Sequence, residues 1–492
     1  MTDVFGQMVS YAYDANSNRT QLSLNGGTSA TYQYDVLNRL TQLADAASLN
    51  TTFGYDATNK LTSRNLPNGV ATSYQYDGLD RLTRLTHSKA GNTLADFQYQ
   101  LNTVSNITQM TDGAGTHGYS YDTRDRLTAA THPNQTNESY TLDDVGNRTA
   151  SHQGSSYSYQ TFNRLTAANG TSFTYDTNGN LTAKTDGGGT WIYAWDYENR
   201  LTQASLSGGV TIIHYSYDAL GRRIQRTSNV SGITKFVYDG TDVLRDLDGS
   251  GATLADYLNG LGIDDKLRQT SGGATPYFLT DHLGTTRSLA DSSGNLSSSL
   301  GYDSFGNVTS GSVPSRYTYT GREADSDTGL MFYRARWYDA RQGRFIGEDP
   351  VGLKAGPNLY SYVNNQPTRF TDPMGENPIY IVGGIAIAEA LLHHFLARRA
   401  ERFFPNVADP HGRKKHCYIN CMSLRIHGGE RLWPNIISVG QEIPTILIQG
   451  LFEGNLRAEL TESAGDLAAD GFGQMSAYVI WKSCKELCTQ CP

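Results

Sequence analysis

One unit recurs between Tyr11 and about residue 250: aromatic-x-Tyr-Asp, a few residues, Asn/Asp/Gly-Arg-Leu-Thr, then a Gly/Ser/Asn-rich stretch. It reads YAYDANSNRT from Tyr11, FGYDATNKLT from Phe53, YQYDGLDRLT from Tyr74 and YSYDTRDRLT from Tyr119. It returns as FTYDTNGNLT from Phe173, YAWDYENRLT from Tyr193 and YSYDALGRRI from Tyr215. Tyr34, Tyr55 and Tyr76 are evenly spaced, and degenerate copies surround Tyr99, Asp144 and Tyr159. A unit this short cannot bury its own apolar face, so neighbours must stack. Tyr-x-Tyr alternation places both rings on one side of a strand, and Asp followed by Asn or Gly turns the chain. The expectation is a mainly β protein in which a long antiparallel sheet runs from about 10 to 315. It spirals because strands twist with one hand. The repeated Asp and Arg are expected to pair along the sheet or to form a solvated surface ladder. The tyrosines read as stacked cross-strand aromatics, with a sugar-binding ladder as the alternative.

Composition agrees. Of 492 residues 51 are Gly and 31 Tyr, while only 18% are charged, which excludes a set of amphipathic helices. The chain is also too aromatic and too regular for disorder. The net charge of −8 gives no electrostatic reason to expect a nucleic-acid partner. MTDVFGQMVSYAYD lacks a basic stretch followed by an apolar run and so does not read as a secretory signal peptide. It already reads as repeat, which fits a piece of a longer polypeptide. The five cysteines all lie from Cys417 onward.

The repeats fade after Asp239, and a different grammar occupies Arg316 to Gly375. Two Asp-Pro-x-Gly turns, Asp349–Gly352 and Asp372–Gly375, bracket NLYSYVNNQP, and GLMFYRARWYDARQGRF precedes them. In this order and spacing the stretch resembles the end of the core domain of RHS proteins, the YD-repeat family related to the C component of insecticidal toxin complexes. The resemblance covers roughly residues 10–375. It implies a hollow β-shell, complete or partial (1–315), a plug or autoprotease element (316–376) and a variable C-terminal toxin domain (377–492). It implies an aspartyl self-cleavage site in which Asp349 and Asp372 share a proton; Arg344, just upstream, is the candidate to hold that site or to bias a carboxylate. It also implies an immunity protein as partner, a secretion-system spike or a second shell-forming chain, and a secreted or delivered effector, with the cell surface as a further location. The family places Leu after the second turn and cuts behind it. Here Glu376 stands there, so the expected bond is Glu376–Asn377. On local grammar alone both motifs read as plain structural turns. Asp281-His282-Leu283-Gly284 resembles another recurring core segment, and its His reads as structural.

The tail has another character. Residues 379–397 are apolar but interrupted by Glu389, His393 and His394. They read as an amphipathic helix in a small α-rich domain, with membrane insertion as the alternative. Cys417 and Cys421 share a helical spacing with Cys484 and Cys488, which suggests two facing pairs joined by disulfides. Zinc is the alternative cofactor, and no other is expected. His416, Glu442, Asp466 and Asp470 form a candidate general-base or metal constellation, against a reading as capping and surface residues. The rival functions are an adhesive surface protein and a displaced toxin cassette.

Overall fold

A computed structural model of the chain describes residues 2–260, 262–376 and the backbone of 379–380. His416, Glu442, Asp466, Asp470, the four paired cysteines, Asn377 and nearly all of 379–397 fall outside the described residues. Ile379–Tyr380 is an exception to the expected helix, because it is a short strand paired with Phe370–Thr371.

Each turn of the repeat is closed by its own aspartate. The Asp35 Oδ1 accepts the backbone N–H of Leu37 at 2.9 Å and of Arg39 at 3.0 Å. Its Oδ2 accepts the Arg39 Nε at 2.7 Å. Asn38 takes φ 60° at the tight point, a conformation asparagine tolerates better than most residues. The same bonds recur at Asp77 with Arg81, Asp122 with Arg126, Asp196 with Arg200 and Asp218 with Arg222. The Asp–Arg pairing expected along the sheet therefore lies inside single turns, four residues apart. The link along the sheet comes from the other end of the guanidinium. Arg39 Nη1 donates to the Asp56 carbonyl at 3.1 Å, Arg81 to that of Asn102 at 2.8 Å and Arg222 to that of Gly240 at 3.1 Å.

The remaining letters of the unit have parallel tasks. The second Tyr donates backwards to the strand that opens the preceding hairpin. Tyr34 reaches the Arg19 carbonyl, Tyr55 that of Leu40, Tyr76 that of Leu61 and Tyr217 that of Leu201, all at 2.8–3.0 Å. The Thr after Arg-Leu donates across the bulge to the residue before that Tyr, as in Thr41 to Gln33 and Thr83 to Gln75. The first Tyr and the Leu turn inward: Tyr32, Leu40 and Leu43 are buried, as are Tyr193, Leu201 and Ala204.

Repeated along the chain, this unit makes two consecutive antiparallel meanders. Fourteen strands run from Val9–Tyr13 to Arg148–Ser151, and sixteen from Tyr157–Gln160 to Val308–Ser312. Among the described residues there is no α-helix, only four short 3-10 turns. The second sheet lies beside the first in the order a spiral requires. Arg19 meets Asp239 at 2.5 Å, Asp45 meets Arg268, His87 meets the Thr280 carbonyl at 2.9 Å, Asp112 meets Arg287 at 3.1 Å and Glu138 meets Ser304 at 2.9 Å. The sequence separation across this seam is 220 and 223 residues at the first two contacts and falls to 166 at the last, so the winding tightens over the later strands. Buried Val237, Leu244 and Leu267 of the later turn pack against Leu22, Tyr32 and Leu43 of the earlier one.

The segment after Val308–Ser312 closes one end. It meets successive turns of the sheet: the Asn365 amide donates to the Gly146 carbonyl at 3.0 Å and the Tyr360 hydroxyl to that of Gly179 at 2.7 Å. The Tyr338 hydroxyl donates to the Phe305 carbonyl at 2.8 Å. Its aromatic residues Tyr319, Tyr333, Tyr338, Phe345 and Tyr362 form one buried cluster with Leu127, Tyr140 and Phe305 of the sheets.

The backward tyrosine bond is testable. Tyr76→Phe leaves the Leu61 carbonyl without its donor and is expected to lower stability by about 1–2 kcal/mol. Asp77→Ala removes the acceptor of two backbone N–H groups and of Arg81 together and is expected to cost more. Denaturant melts of the two variants beside the wild type read both values.

Candidate active site

The closing segment begins with a four-stranded sheet, Glu323–Ala324, Met331–Tyr333, Arg336–Asp339 and Arg344–Phe345. Its middle hairpin is tight, with Arg334 at φ 55°, and this turns the Arg336 side chain inward. Both Asp-Pro-x-Gly motifs reuse the turn bonds of the repeat. Gly352 N–H donates to the Asp349 carbonyl at 2.9 Å and Gly375 N–H to that of Asp372 at 3.1 Å. Asp349 Oδ1 accepts Val351 N–H at 2.9 Å, and Asp372 Oδ1 accepts Glu376 N–H at 3.0 Å. Gly375 has φ 68°, and a Cβ there would collide with the Tyr333 carbonyl, so the second turn needs glycine both for its backbone and for its closeness to the hairpin.

Each Oδ1 is fixed by its turn, and both Oδ2 atoms point at one atom. Arg336 Nη2 lies 2.8 Å from Asp349 Oδ2 and 2.9 Å from Asp372 Oδ2. The two carboxylates therefore stand no further apart than these two contacts laid end to end. Arg336 Nη1 donates to the Leu359 carbonyl at 3.1 Å, which also takes the Asp349 N–H at 2.9 Å. Arg336 Nε donates to the Gly375 carbonyl at 2.5 Å, and the guanidinium lies 3.6 Å from the Phe345 ring centre. Arg336, Asp349, Asp372 and Glu376 are all buried.

Burial pushes Asp349 up to about 6, against the pull of Arg336, and the neighbouring Asp372 and Glu376 add to the rise. One cation shared by two buried carboxylates leaves a net negative charge, so one carboxyl keeps its proton more readily than usual. A carboxylic acid and a carboxylate side by side can supply and remove a proton in one event. The peptide link Gly375–Glu376 is gripped at both ends, its carbonyl by Arg336 and its N–H by Asp372. That link lies one residue before the expected Glu376–Asn377 bond.

The role expected for Arg344 falls geometrically to Arg336. Arg344 Nη2 donates to the Asn163 carbonyl at 2.6 Å, and its guanidinium lies over the rings of Tyr360 and Tyr159. It fastens the closing segment to the sheet. Arg336 was missed because YRARWYD offers two arginines of equal appeal, Arg334 and Arg336, and only the hairpin selects one. His282 is used for fastening too, since its Nε2 donates to the Thr368 carbonyl at 2.9 Å.

Comparison with known proteins agrees with this architecture. The family model described as Teneurin YD-shell matches residues 95–369, and the RHS Repeat model matches 13–49 and 55–93. The chain belongs to the Teneurin YD-shell family. The tRNA3(Ser)-specific nuclease WapA of Bacillus spizizenii is 32% identical over 255 residues, covering 48% of this chain and 11% of that protein. The Double-stranded DNA deaminase toxin A of Burkholderia cenocepacia is 27% identical over 341 residues, 62% of this chain and 23% of that protein. Toxin protein Tse5 of Pseudomonas aeruginosa is 37% identical over 120 residues, 23% of this chain and 9% of that protein. The chain thus spans about a tenth of the length of the first of these relatives. Among solved structures, the crystal structure of TcdB2-TccC3-TEV superposes with TM-score 0.62 at 20% identity, over 75% of this chain and 21% of that one. That likeness bears on the fold, the coiled antiparallel sheet. The chain is an RHS/YD-shell protein, and its relatives include nuclease and deaminase toxins by name.

The proton on Asp349 is measurable. Its folded value of about 6 stands above its ordinary 3.8. Its contribution to stability is therefore present below about pH 4 and is lost as pH rises through about 6. Difference infrared titration should show two protonated carboxyls disappearing near pH 6, Asp349 and the buried Asp303, of which only that of Asp303 remains in Asp349→Asn. Arg336→Gln, which removes the opposing cation, should move the Asp349 titration upward.

Proposed function

We propose that this chain is the shell and release element of an RHS-type toxin. On this reading the coiled sheet encloses the C-terminal segment, and the Asp349–Asp372 pair cuts the chain beside Glu376 to free it. The observation that carries the reading is the convergence of two buried carboxylates on Arg336, beside the link that joins the shell to the tail. In the cut, one aspartate takes a proton from water while the water oxygen adds to the carbonyl carbon. Arg336, already donating to that carbonyl in the case of Gly375, stabilises the developing negative charge. The C–N bond then breaks, and the protonated aspartate supplies the proton to the leaving amine, so that one water is consumed. Asp372, whose Oδ1 accepts the Glu376 N–H, is the aspartate that takes the proton from water and passes it to the leaving amine in a cut at Gly375–Glu376.

The freed tail would act on a competitor or host cell, by a reaction that the named relatives suggest to be damage to nucleic acid. It would be delivered from the producing cell and neutralised there by a cognate immunity protein. The pairing of TcdB2 with TccC3 in the similar structures supports a second shell-forming chain as a partner.

Purified full-length protein is expected to resolve into a shell fragment and a tail. Asp349→Asn and Asp372→Asn should each leave one full-length band and an intact shell. Glu376→Leu should speed the cut, because it removes a carboxylate that repels the nucleophilic pair. The N-terminus of the freed tail locates the bond: Glu376 for the gripped link, Asn377 for the family position. Wild type and Glu376→Leu both remaining uncut would leave two structural turns and end the protease reading. Toxicity of residues 377–492 expressed alone tests the effector half separately.

A further inference from the structure

Each aspartate of the pair is carried by a loop that is fastened where the two long sheets meet. The first loop, from Asp349 to Asn358, is held at both ends. Just before it, Glu348 Oε1 accepts Arg164 Nη2 at 3.1 Å and lies 3.3 Å from the Tyr360 hydroxyl. Arg164 opens strand Arg164–Ala168 of the second sheet, and its guanidinium also donates to the Asp176 carbonyl at 3.2 Å and to that of Thr177 at 3.1 Å. A Cβ on Gly179 would run into the Glu348 carboxylate, so the carboxylate lies directly against that turn. At the far end the Pro357 carbonyl accepts the Asn163 amide at 2.9 Å, and the Asn358 amide donates to Asn147 Oδ1 at 2.9 Å. Asn147, in the last turn of the first sheet, donates in turn to Asn163 Oδ1 at 2.8 Å. The loop is thus bonded to both sheets, on either side of the break between Ser151 and Tyr157.

The second loop leads to Asp372 through Thr368, which is buried. Tyr121 donates its hydroxyl hydrogen to the Ile107 carbonyl at 2.6 Å, so the Thr368 hydroxyl is the donor in the 2.8 Å bond between Thr368 and Tyr121. Tyr121 and Ile107 both belong to the first sheet. The Thr368 carbonyl accepts His282 Nε2 at 2.9 Å, from a turn of the second. One residue therefore ties the loop to both sheets. Arg369 adds a bond to Asn106 Oδ1 at 3.3 Å, again on the first sheet.

Two carboxylates sharing one cation repel each other, so the loops must be held from outside to keep both Oδ2 atoms at 2.8 and 2.9 Å from Arg336. The fastenings stand close to the acids. Glu348 is the residue before Asp349, and Thr368 lies four before Asp372, so a shift of either fastening is passed straight to a carboxylate. We propose that Glu348 and Thr368 are positioning residues: they seat the Asp349 and Asp372 loops on the joined sheets, so that the acid pair forms only once the shell has closed. The proposal rests on reading the pair as a protease and adds the condition under which it acts. Cutting then follows closure, and a chain whose sheets have not met keeps its tail attached. A displacement of about 1 Å at a reacting group can cost on the order of a hundredfold in rate, so the condition is a strict one.

The rate at which the tail fragment appears from the full chain tests it, with a denaturant melt of each variant beside it. Glu348→Ala and Thr368→Val are each expected to slow the cut by about tenfold to a hundredfold. Glu348→Gln keeps an oxygen for Arg164 and Thr368→Ser keeps the hydroxyl, and both should restore cutting to near the wild-type rate. Tyr76→Phe, which weakens the sheet away from both loops, should not slow it. Should Glu348→Ala fail to fold, the Thr368→Val and Thr368→Ser pair decides. Cutting of the wild type, with Glu348→Ala and Thr368→Val cut as fast, overturns the proposal and leaves the protease reading standing. Glu348→Gln as slow as Glu348→Ala makes Glu348 an acid in the reaction and overturns its positioning role. Tyr76→Phe slowed to the same degree reduces the effect to general stability and overturns the proposal too. A wild type that stays uncut ends the protease reading, and the proposal with it.

Discussion

The fold depends on side chains bonding to the backbone of a neighbouring repeat. A two-stranded hairpin is marginal by itself, and the repeats that carry the full motif give their hairpins two fixed attachments. A tyrosine hydroxyl reaches back to a carbonyl about fifteen residues earlier, as Tyr76 does to Leu61. An arginine reaches forward to the turn that follows, as Arg81 does to Asn102. Both acceptors are backbone atoms, so the attachment is indifferent to which residue supplies them. That is why the spacer positions vary while Tyr, Asp and Arg recur. It also explains the tolerance for exposed apolar residues at the turn tips, such as Val36 and Leu79, which take no part in either bond.

A sheet built this way has no internal reason to stop or to fix its pitch, and buried charge provides that. Arg322 and Arg334 of the closing segment meet Asp264 at 2.5 and 2.8 Å, Arg226 meets Asp325 at 2.8 Å, and Lys184 meets Asp339 at 2.8 Å. Pairs of this kind add little net stability over apolar packing, yet a mismatched docking would strand a charge without a partner. The closing segment can therefore seat in one register only. That register is what carries Asp349 and Asp372 to the same guanidinium. The aromatic cluster around Tyr338 and Tyr362 provides the driving force, and the ion pairs select the position.

The repeat, its strands and its spiral are legible in the sequence because every bond that makes them spans a short, recurring distance. The inward Tyr and Leu follow from alternation, and the positive φ of Gly352 and Gly375 follows from the Asp-Pro-x-Gly spelling. What the sequence conceals are contacts at separations without a period. The seam pairs span 166 to 223 residues, and nothing in the spelling of His132 or Ser304 ties either to Glu138. Arg344 attracted the site role by standing five residues from Asp349, whereas Arg336 reaches both aspartates because a hairpin turns it inward. The Asp–Arg ladder was expected to run along the sheet because the residues recur along it. In fact each aspartate closes on its own turn, since two backbone N–H groups and the guanidinium four residues on are the nearest donors it meets.

The charge arithmetic also separates structural ion pairs from the candidate site. Glu323 is met by Arg223 at 2.7 Å and Arg316 at 2.8 Å, and these cations hold it down to about 2 in spite of its burial. Asp264 likewise sits between Arg322 and Arg334 and is lowered. At both places a carboxylate has two cations and stays ionised, which is what a fastening requires. At Asp349 and Asp372 the ratio inverts, with two carboxylates to one cation, and Asp349 rises to about 6. A fold that uses paired arginines elsewhere could have placed a second one here, and it would then have bound the segment more firmly. The shortage of positive charge sets this place apart from the fastening pairs, because the two turn-closing carboxylates share Arg336 and one of them holds its proton more readily than usual.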